Sequence, residues 1–423
     1  MDGTLTPVGY RTRIAERAVG EALSYMPTVV IEGPRGCGKT WLARHFARSE
    51  VLFDQDIDAR TSVSVAPGRI LRGEEPRLLD EWQLAPEVWN QVRHASDEGR
   101  GNGRFILTGS ASPPDDATRH SGAGRISRVR LRPMSLLETG ESTGEVSLRS
   151  LFAGESVAVA RPDASLEDIV DAVCRGGWPR LRGESVRTSQ MFLNDYLDEI
   201  CRTDIAAVDG VARDPIRVRR LLESLGRNVA TTAAFATLAR DIDGETGVDR
   251  ETVSAYVRAL ERLFVVEDVR HWSVHLRSKA RLRKSAKRHF VDPSLAAAAV
   301  GATPDRLLKE LATLGFLFES LVVRDLRIYG QGSDAAVYHY RDSHDLEADA
   351  IIETRDRRWI AVEVKLGGQE WIEEAAGSLL RLKNKVDTER VGEPSKLLII
   401  TAAGYGYDRP DGTTVVPITA LAP

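Results

Sequence analysis

A chain of 423 residues with 58 basic and 62 acidic side chains, a formal charge of −4 and 42% hydrophobic residues is too apolar for global disorder, and its charge demands no polyanionic partner. No apolar run approaches the roughly 18 residues that cross a bilayer, and residues 1–4 lack the basic and apolar regions of a secretion signal. The expectation is a cytoplasmic chain of about two to four domains without a membrane partner. The three cysteines, Cys37, Cys174 and Cys201, are spaced for neither a disulfide framework nor a zinc site.

Short apolar or β-branched runs at 28–32, 51–53, 77–80, 105–108 and 129–131 alternate with helical stretches, the rhythm of a buried, largely parallel α/β sheet. From about 134 to 210 the pattern is helical, broken by Gly176-Gly177-Trp178-Pro179, which must turn the backbone. Three helical segments follow, at 217–225, 232–242 and after Asp249, a plausible N-cap; the polar stretch 243–247 separates the last two. Strand-like runs at 264–269 and 289–291 come next. The remainder predicts a helix containing 316–326 and strands near 336–340, 348–353, 359–364 and 396–401.

The first of these elements frame a chemical motif. Gly33-Pro34-Arg35-Gly36-Cys37-Gly38-Lys39-Thr40 fits G-x-x-x-x-G-K-[ST], after the strand Val29-Val30-Ile31 and before a helix at 41–47. Glycines let successive backbone N–H groups and the helix start point at phosphates. Lys39 would lie against the β- and γ-phosphates and the Thr40 hydroxyl would ligate Mg²⁺, making ATP and Mg²⁺ the expected cofactors. Leu78-Leu79-Asp80-Glu81 supplies an acid for the metal side, Asp80, and one to orient or deprotonate water, Glu81. Thr108-Gly109-Ser110 ends the next strand with hydroxyls in reach of a γ-phosphate, Thr108 first among them. Cys37, beside Lys39 and a helix N-terminus, sits where a thiol pKa is lowered, although a small side chain tolerated by the loop is the simpler reading.

With 78–83, 105–110, Gly124-Arg125 and 131–138, this loop resembles the AAA+-like ATPase domain of bacterial and archaeal proteins of unknown function that end in a winged helix and a restriction-endonuclease-like domain. The resemblance implies an α/β multidomain chain: an AAA+-like P-loop ATPase domain with a parallel sheet (1–140), a helical lid or linker (141–210), a winged helix (211–300) and an α/β nuclease-like domain of the PD-(D/E)xK type (301–423). It also implies Arg125, and secondarily Arg202, as the arginine acting on the γ-phosphate, in cis or from a neighbour in a homo-oligomer.

Two further groups bear on partners. Residues 275–288 carry Arg277, Lys279, Arg281, Arg283, Lys284, Lys287 and Arg288 with no acid, enough to neutralise several phosphates of DNA or RNA. At the other end, period two along strands puts Glu347 with Asp349 and Glu363 with Lys365 on common faces. This arrangement resembles a PD-(D/E)xK nuclease core, in which Asp349 and Glu363 share a divalent ion, Lys365 orients a water and Glu319 completes the site. Three functions remain open: an ATP-hydrolysing machine acting on nucleic acid, an ATP-regulated metal-dependent nuclease, and a nucleotide-controlled docking regulator with negligible turnover. A metabolite kinase fits less well, because paired acids suit water as nucleophile.

Overall fold

The computed structural model describes residues 3–99, 101–111, 121–160, 164–208, 210–243, 248–273, 285–342, 344 and 346–423. The chain condenses into two compact units. One holds Met1–Pro133, Asp204–Ala212 and Ala259–Val265; the other holds Met134–Thr203, Arg213–Arg258 and Val266–Pro423.

The first unit is built on five parallel strands, β1 (Thr28–Glu32), β2 (Ser49–Leu52), β3 (Arg77–Asp80), β4 (Phe105–Gly109) and β5 (Ile126–Arg130), in the order β2-β3-β4-β1-β5. Strand periodicity assigns each side chain to a layer. Val30, Leu79, Phe105 and Leu107 join Phe53, Trp82, Trp89 and Val92 in one apolar cluster. Val29, Ile31, Leu78, Ile106 and Val129 join Val19 and Leu42 in another. A sheet covered on both faces reads in sequence as unbroken apolar runs, and each such fully buried side chain contributes about 1.5–3 kcal/mol. Because every strand runs the same way, Gly33, Asp80-Glu81 and Thr108-Gly109-Ser110 all emerge at one edge of the sheet.

The second unit opens with strand β6 (Val146–Ser147) and strand β7 (Ala158–Val159), followed by helices Leu166–Arg175 and Val186–Glu199. Helices Pro215–Arg227, Phe235–Asp243 and Arg250–Arg262 precede an antiparallel pair, β8 (Val266–Val269) and β9 (Lys287–Phe290); Arg288 also bridges back to Thr231. Asp249 caps as expected, accepting from the Thr252 N–H at 2.8 Å. β8 starts later than the apolar pattern suggests because Phe264 takes φ +61°, a left-handed turn that ends the preceding segment. The polar turn at 244–247 and the basic residues 275–284 lie outside the described residues.

Helix Leu311–Gly332 then packs on a seven-stranded sheet of β10 (Ala335–Arg341), β11 (Glu347–Thr354), β12 (Trp359–Lys365), β13 (Lys396–Thr401), β14 (Gly406–Asp408) and β15 (Thr413–Pro417), with β7 at its edge. The order is β10-β11-β12-β13-β15-β14-β7, with β12, β13 and β15 parallel. β6 pairs with β16 (Leu421–Ala422). The stretch expected as a purely helical linker thus supplies strands to partners more than 240 residues away, such as Gly406 opposite Val159.

The Gly176-Gly177 break has a structural cause. A Cβ on Gly177 would lie 1.9 Å from the Met134 carbonyl oxygen, so only glycine fits. The Gly177 N–H donates to Asp292 at 3.0 Å, and Arg324 donates to Asp292 at 2.8 Å and to Asp325 at 2.8 Å. Asp325 also accepts from the Leu136 N–H at 2.9 Å. Asp292 and Asp325 are fully buried, and Arg324 nearly so; such charges persist only when paired and hydrogen-bonded, as these are.

Candidate nucleotide-binding site

The loop between β1 and helix Lys39–Phe46 owes its shape to three glycines. A Cβ on Gly33 would meet the Leu131 carbonyl oxygen at 2.0 Å, while Gly36 and Gly38 take φ +79° and +101°. Gly38 directly precedes the helix, so the first helical N–H groups face the loop. The Lys39 ammonium folds over it, donating to the Pro34 carbonyl at 2.9 Å, and its side chain is nearly buried. Arg35 at the loop pairs with Asp204 at 2.9 Å. The buried Arg13 guanidinium donates to the Cys37 carbonyl at 2.9 Å and the Arg132 carbonyl at 2.8 Å, tying the loop to the end of β5. Neither Arg13 nor Asp204 has a local sequence signature.

Cys37 corrects the expectation of a lowered thiol pKa. Burial pushes it up, against the opposing pull of Lys39 and Arg13, and Sγ faces the Leu131 carbonyl at 3.5 Å. Desolvation of the thiolate outweighs the nearby positive charge. The residue is a small packing group inside the loop.

The acids at the strand ends form one connected set. Thr40 Oγ1 donates to Asp80 Oδ1 at 2.9 Å, and Thr108 Oγ1 donates to the same oxygen. The Glu81 N–H donates to Thr108 Oγ1 at 3.2 Å. Burial holds the Asp80 carboxyl above its usual range, while the Thr108 and Thr40 hydroxyls pull the other way. Glu81 adopts φ +55°, a left-handed conformation that costs a non-glycine residue about 1–3 kcal/mol and concentrates at functional positions. Its carboxylate accepts from Ser110 Oγ at 3.0 Å and from the Gln83 amide. Gln83 was not foreseen from sequence, although it stands two residues after the acid it holds.

Thr108 joins the two acids: its hydroxyl proton goes to Asp80 and its oxygen accepts from the Glu81 N–H. Arg125 stands at the other end of the sheet from the loop. It precedes Ile126, which pairs with Thr28 at the start of β1, whereas the loop follows Glu32 at the other end, about 13 Å of strand away. Its guanidinium pairs with Asp97 at 2.6 Å. Arg125 thus does not reach the loop of its own chain. Arg202 is exposed on the π-helical turn Ile200–Asp204.

The donor set suits Mg²⁺ bound together with nucleotide: one hydroxyl and one carboxylate beside a phosphate loop, the remaining positions falling to phosphate oxygens and water. Among the described residues, no group of three or more His, Cys, Asp or Glu side chains is arranged to hold a metal ion.

The residues expected to form a nuclease-like core lie in the second unit. Glu319, Glu347 and Asp349 do converge, but on Lys287, whose Nζ lies 2.7, 2.9 and 3.4 Å from their respective oxygens. Lys287, expected on an exposed basic hairpin, is buried, because strand alternation on β9 turns it inward together with His289. Glu363 pairs with Lys365 at 3.4 Å, and Asp349 also accepts from the Val364 N–H at 2.8 Å. Burial pushes Glu319 up to about 8 and Glu363 well above the usual carboxylate range, each helped by Asp349. Burial likewise pushes His289 well below its ordinary value, with Lys287 adding to the effect.

Residues 26–140 match the family described as AAA domain. Residues 166–306 and 314–421 match two families described as domains of unknown function, DUF8612 and DUF4143. The uncharacterized proteins Rv2008c of Mycobacterium tuberculosis and Mb2031c of Mycobacterium bovis are each 26% identical over 350 residues, covering 82% of this chain and 72% of theirs. Among solved structures, the Walker-type ATPase PABY2304 of Pyrococcus abyssi aligns over 70% of this chain and 99% of its own, at 12% identity and a TM-score of 0.41. AMPPCP-bound DnaA from Aquifex aeolicus aligns over 60% and 89%, at 16% identity and a TM-score of 0.28. Residues 26–140 are thus similar to the AAA domain and carry a P-loop ATPase-like arrangement, and no helix among the described residues is long and apolar enough to cross a membrane.

Proposed function

We propose that this chain binds ATP with Mg²⁺ at Gly33 to Thr40 and hydrolyses it, Asp80 supporting the metal's water shell and Glu81 orienting the attacking water. The observation that carries this reading is the continuous set Thr40–Asp80–Thr108–Glu81, which ties the phosphate loop to both acids through hydroxyl hydrogen bonds. Phosphoryl transfer needs little covalent help from a protein; positioned charge and a positioned water supply the catalysis. Lys39 stabilises charge on the transferring phosphoryl group, and Mg²⁺, when bound, neutralises the phosphate oxygens. The left-handed backbone of Glu81 and its contacts to Ser110 and Gln83 fix the carboxylate before any water arrives.

The further reading is that nucleotide state governs what the second unit binds. Its three helices and β8–β9 pair support a winged helix, and helix Leu311–Gly332 followed by β10–β13 supports a restriction-endonuclease-like core. DNA or RNA is the proposed partner, on the strength of the basic stretch 275–284. An active nuclease is the weaker alternative, since the acids it needs surround a lysine.

The test is ATP turnover by the full chain in Mg²⁺ buffer, with Lys39→Ala as control, repeated with single- and double-stranded DNA and RNA across a salt series. Turnover lost in Lys39→Ala and raised by nucleic acid at low salt supports both readings. Turnover indifferent to nucleic acid at every salt concentration removes the second, and tight ATP binding without turnover leaves a nucleotide-controlled docking regulator.

A further inference from the structure

We propose that Lys287 is a built-in cation that closes the carboxylate cluster of the C-terminal sheet against divalent metal. The cluster gathers side chains from two elements: Glu319 from helix Leu311–Gly332, and Glu347 and Asp349 from β11. Lys287 arrives from β9, a strand outside the seven-stranded sheet. Its ammonium contacts all three carboxylates within 3.4 Å, and only 4% of its side chain is exposed.

A divalent ion held by these carboxylates would need oxygens at roughly 2.0–2.6 Å from one point. The ammonium lies within 3.4 Å of one oxygen of each carboxylate, in the space such an ion would need. Metal and Lys287 therefore exclude one another, and an ion enters only if the amine leaves.

The amine is not free to leave, because β9 is fastened along its length. Lys287 and Arg288 pair with Val269 and Asp268 across the antiparallel ladder. The Arg288 N–H donates to Thr231 O at 2.9 Å, its carbonyl accepts from Ala230 N at 2.9 Å, and its guanidinium pairs with Asp268 at 3.1 Å. His289, two residues on, meets Ser320 at 3.2 Å, one residue from Glu319. Swinging the ammonium out would strand buried carboxylates without a counter-charge, and breaking such a pair is strongly unfavourable. The contact thus acts as an autoinhibitory lock: if the restriction-endonuclease-like reading holds, two of its acids, Glu319 and Asp349, are held by the chain's own cation, while Glu363 pairs with Lys365. Displacement of β9 is the movement that would release it.

The experiment follows Mn²⁺ uptake by the nucleotide-free full chain, read from the free-ion electron paramagnetic resonance signal, in wild type, Lys287→Met, Asp349→Asn and the double variant, each checked for folding by circular dichroism. The expected result is no Mn²⁺ uptake dependent on Asp349 in wild type, an affinity gain of at least about tenfold in Lys287→Met, and loss of that gain in the double variant. Wild-type uptake abolished by Asp349→Asn overturns the proposal, as does a folded Lys287→Met that binds no better than wild type. Should Lys287→Met not fold, competitive acylation of the wild-type chain decides. Lys287 protected relative to exposed Lys309, with or without Mn²⁺, supports the lock, and equal labelling of the two overturns it.

Discussion

Thr40 Oγ1 and Asp80 Oδ1 stand 2.9 Å apart, although 40 residues separate them, because β1 and β3 end at the same edge of a parallel sheet. In a Mg²⁺ complex the carboxylate's charge is what this geometry supplies. Asp80→Asn keeps the shape and removes the charge. Calorimetry is expected to show a large loss of Mg²⁺-dependent ATP affinity and little change in the weaker affinity measured with EDTA. An unchanged Mg²⁺ dependence would remove Asp80 from the metal side.

Glu81→Gln retains size and hydrogen-bonding capacity but cannot accept a proton or polarise water. ATP binding should persist while turnover falls about 10²–10⁴-fold. A wild-type rate in this variant contradicts the assignment. Ser110→Ala, which removes one of the contacts that hold the carboxylate, should lower kcat with little effect on ATP affinity.

The position of Thr108 predicts a pH effect. Burial raises the Asp80 pKa and the Thr108 hydroxyl lowers it, so Thr108→Val should raise it further. Since Asp80 must be ionised to support Mg²⁺, the acid limb of Mg²⁺–ATP binding should move to higher pH, with the alkaline plateau preserved. Binding curves measured over pH check the direction; an acid limb that stays in place or moves down would show that Thr108 does not tune Asp80.

Arg324 lies between two fully buried aspartates, Asp292 and Asp325. Removing one partner of a buried pair costs about 3–5 kcal/mol, so Arg324→Met should lower the unfolding midpoint of the second unit substantially. Differential scanning calorimetry should find the transition of the first unit unmoved. A midpoint unchanged from wild type would mean that the network contributes nothing net.

Much of the candidate site's geometry was legible in the chain itself, since a glycine-rich loop of this kind is a local device. Glycines, lysine and threonine are consecutive, and the strand before and helix after are readable from eighteen or so residues. Asp80-Glu81 followed from the same logic. Arg13 and Asp204 were not legible, because each contributes through a contact made by tertiary packing; Gln83 was not, because an amide two residues after an acid follows no spacing rule. Which end of the sheet Arg125 occupies was not legible, because resemblance gives a residue's neighbourhood in sequence, whereas register decides its end of a strand. Lys287 looked like one more member of a basic run; its parity with His289 on a short strand was the available sign that it points inward. Strands of two or three residues, such as β6, β7 and β14, hold too few positions to display any alternation.

The pairing of Ala158–Val159 at the edge of the C-terminal sheet and the Asp292–Arg324–Asp325 network govern how the gene can be cut. A plasmid encoding 301–423 alone would yield a polypeptide deprived of an edge strand, of the Leu136 N–H that donates to Asp325, and of Asp292, the second acid paired with Arg324. Split near residue 300, the halves should regain solubility only when co-expressed, as complementing fragments of one folding unit.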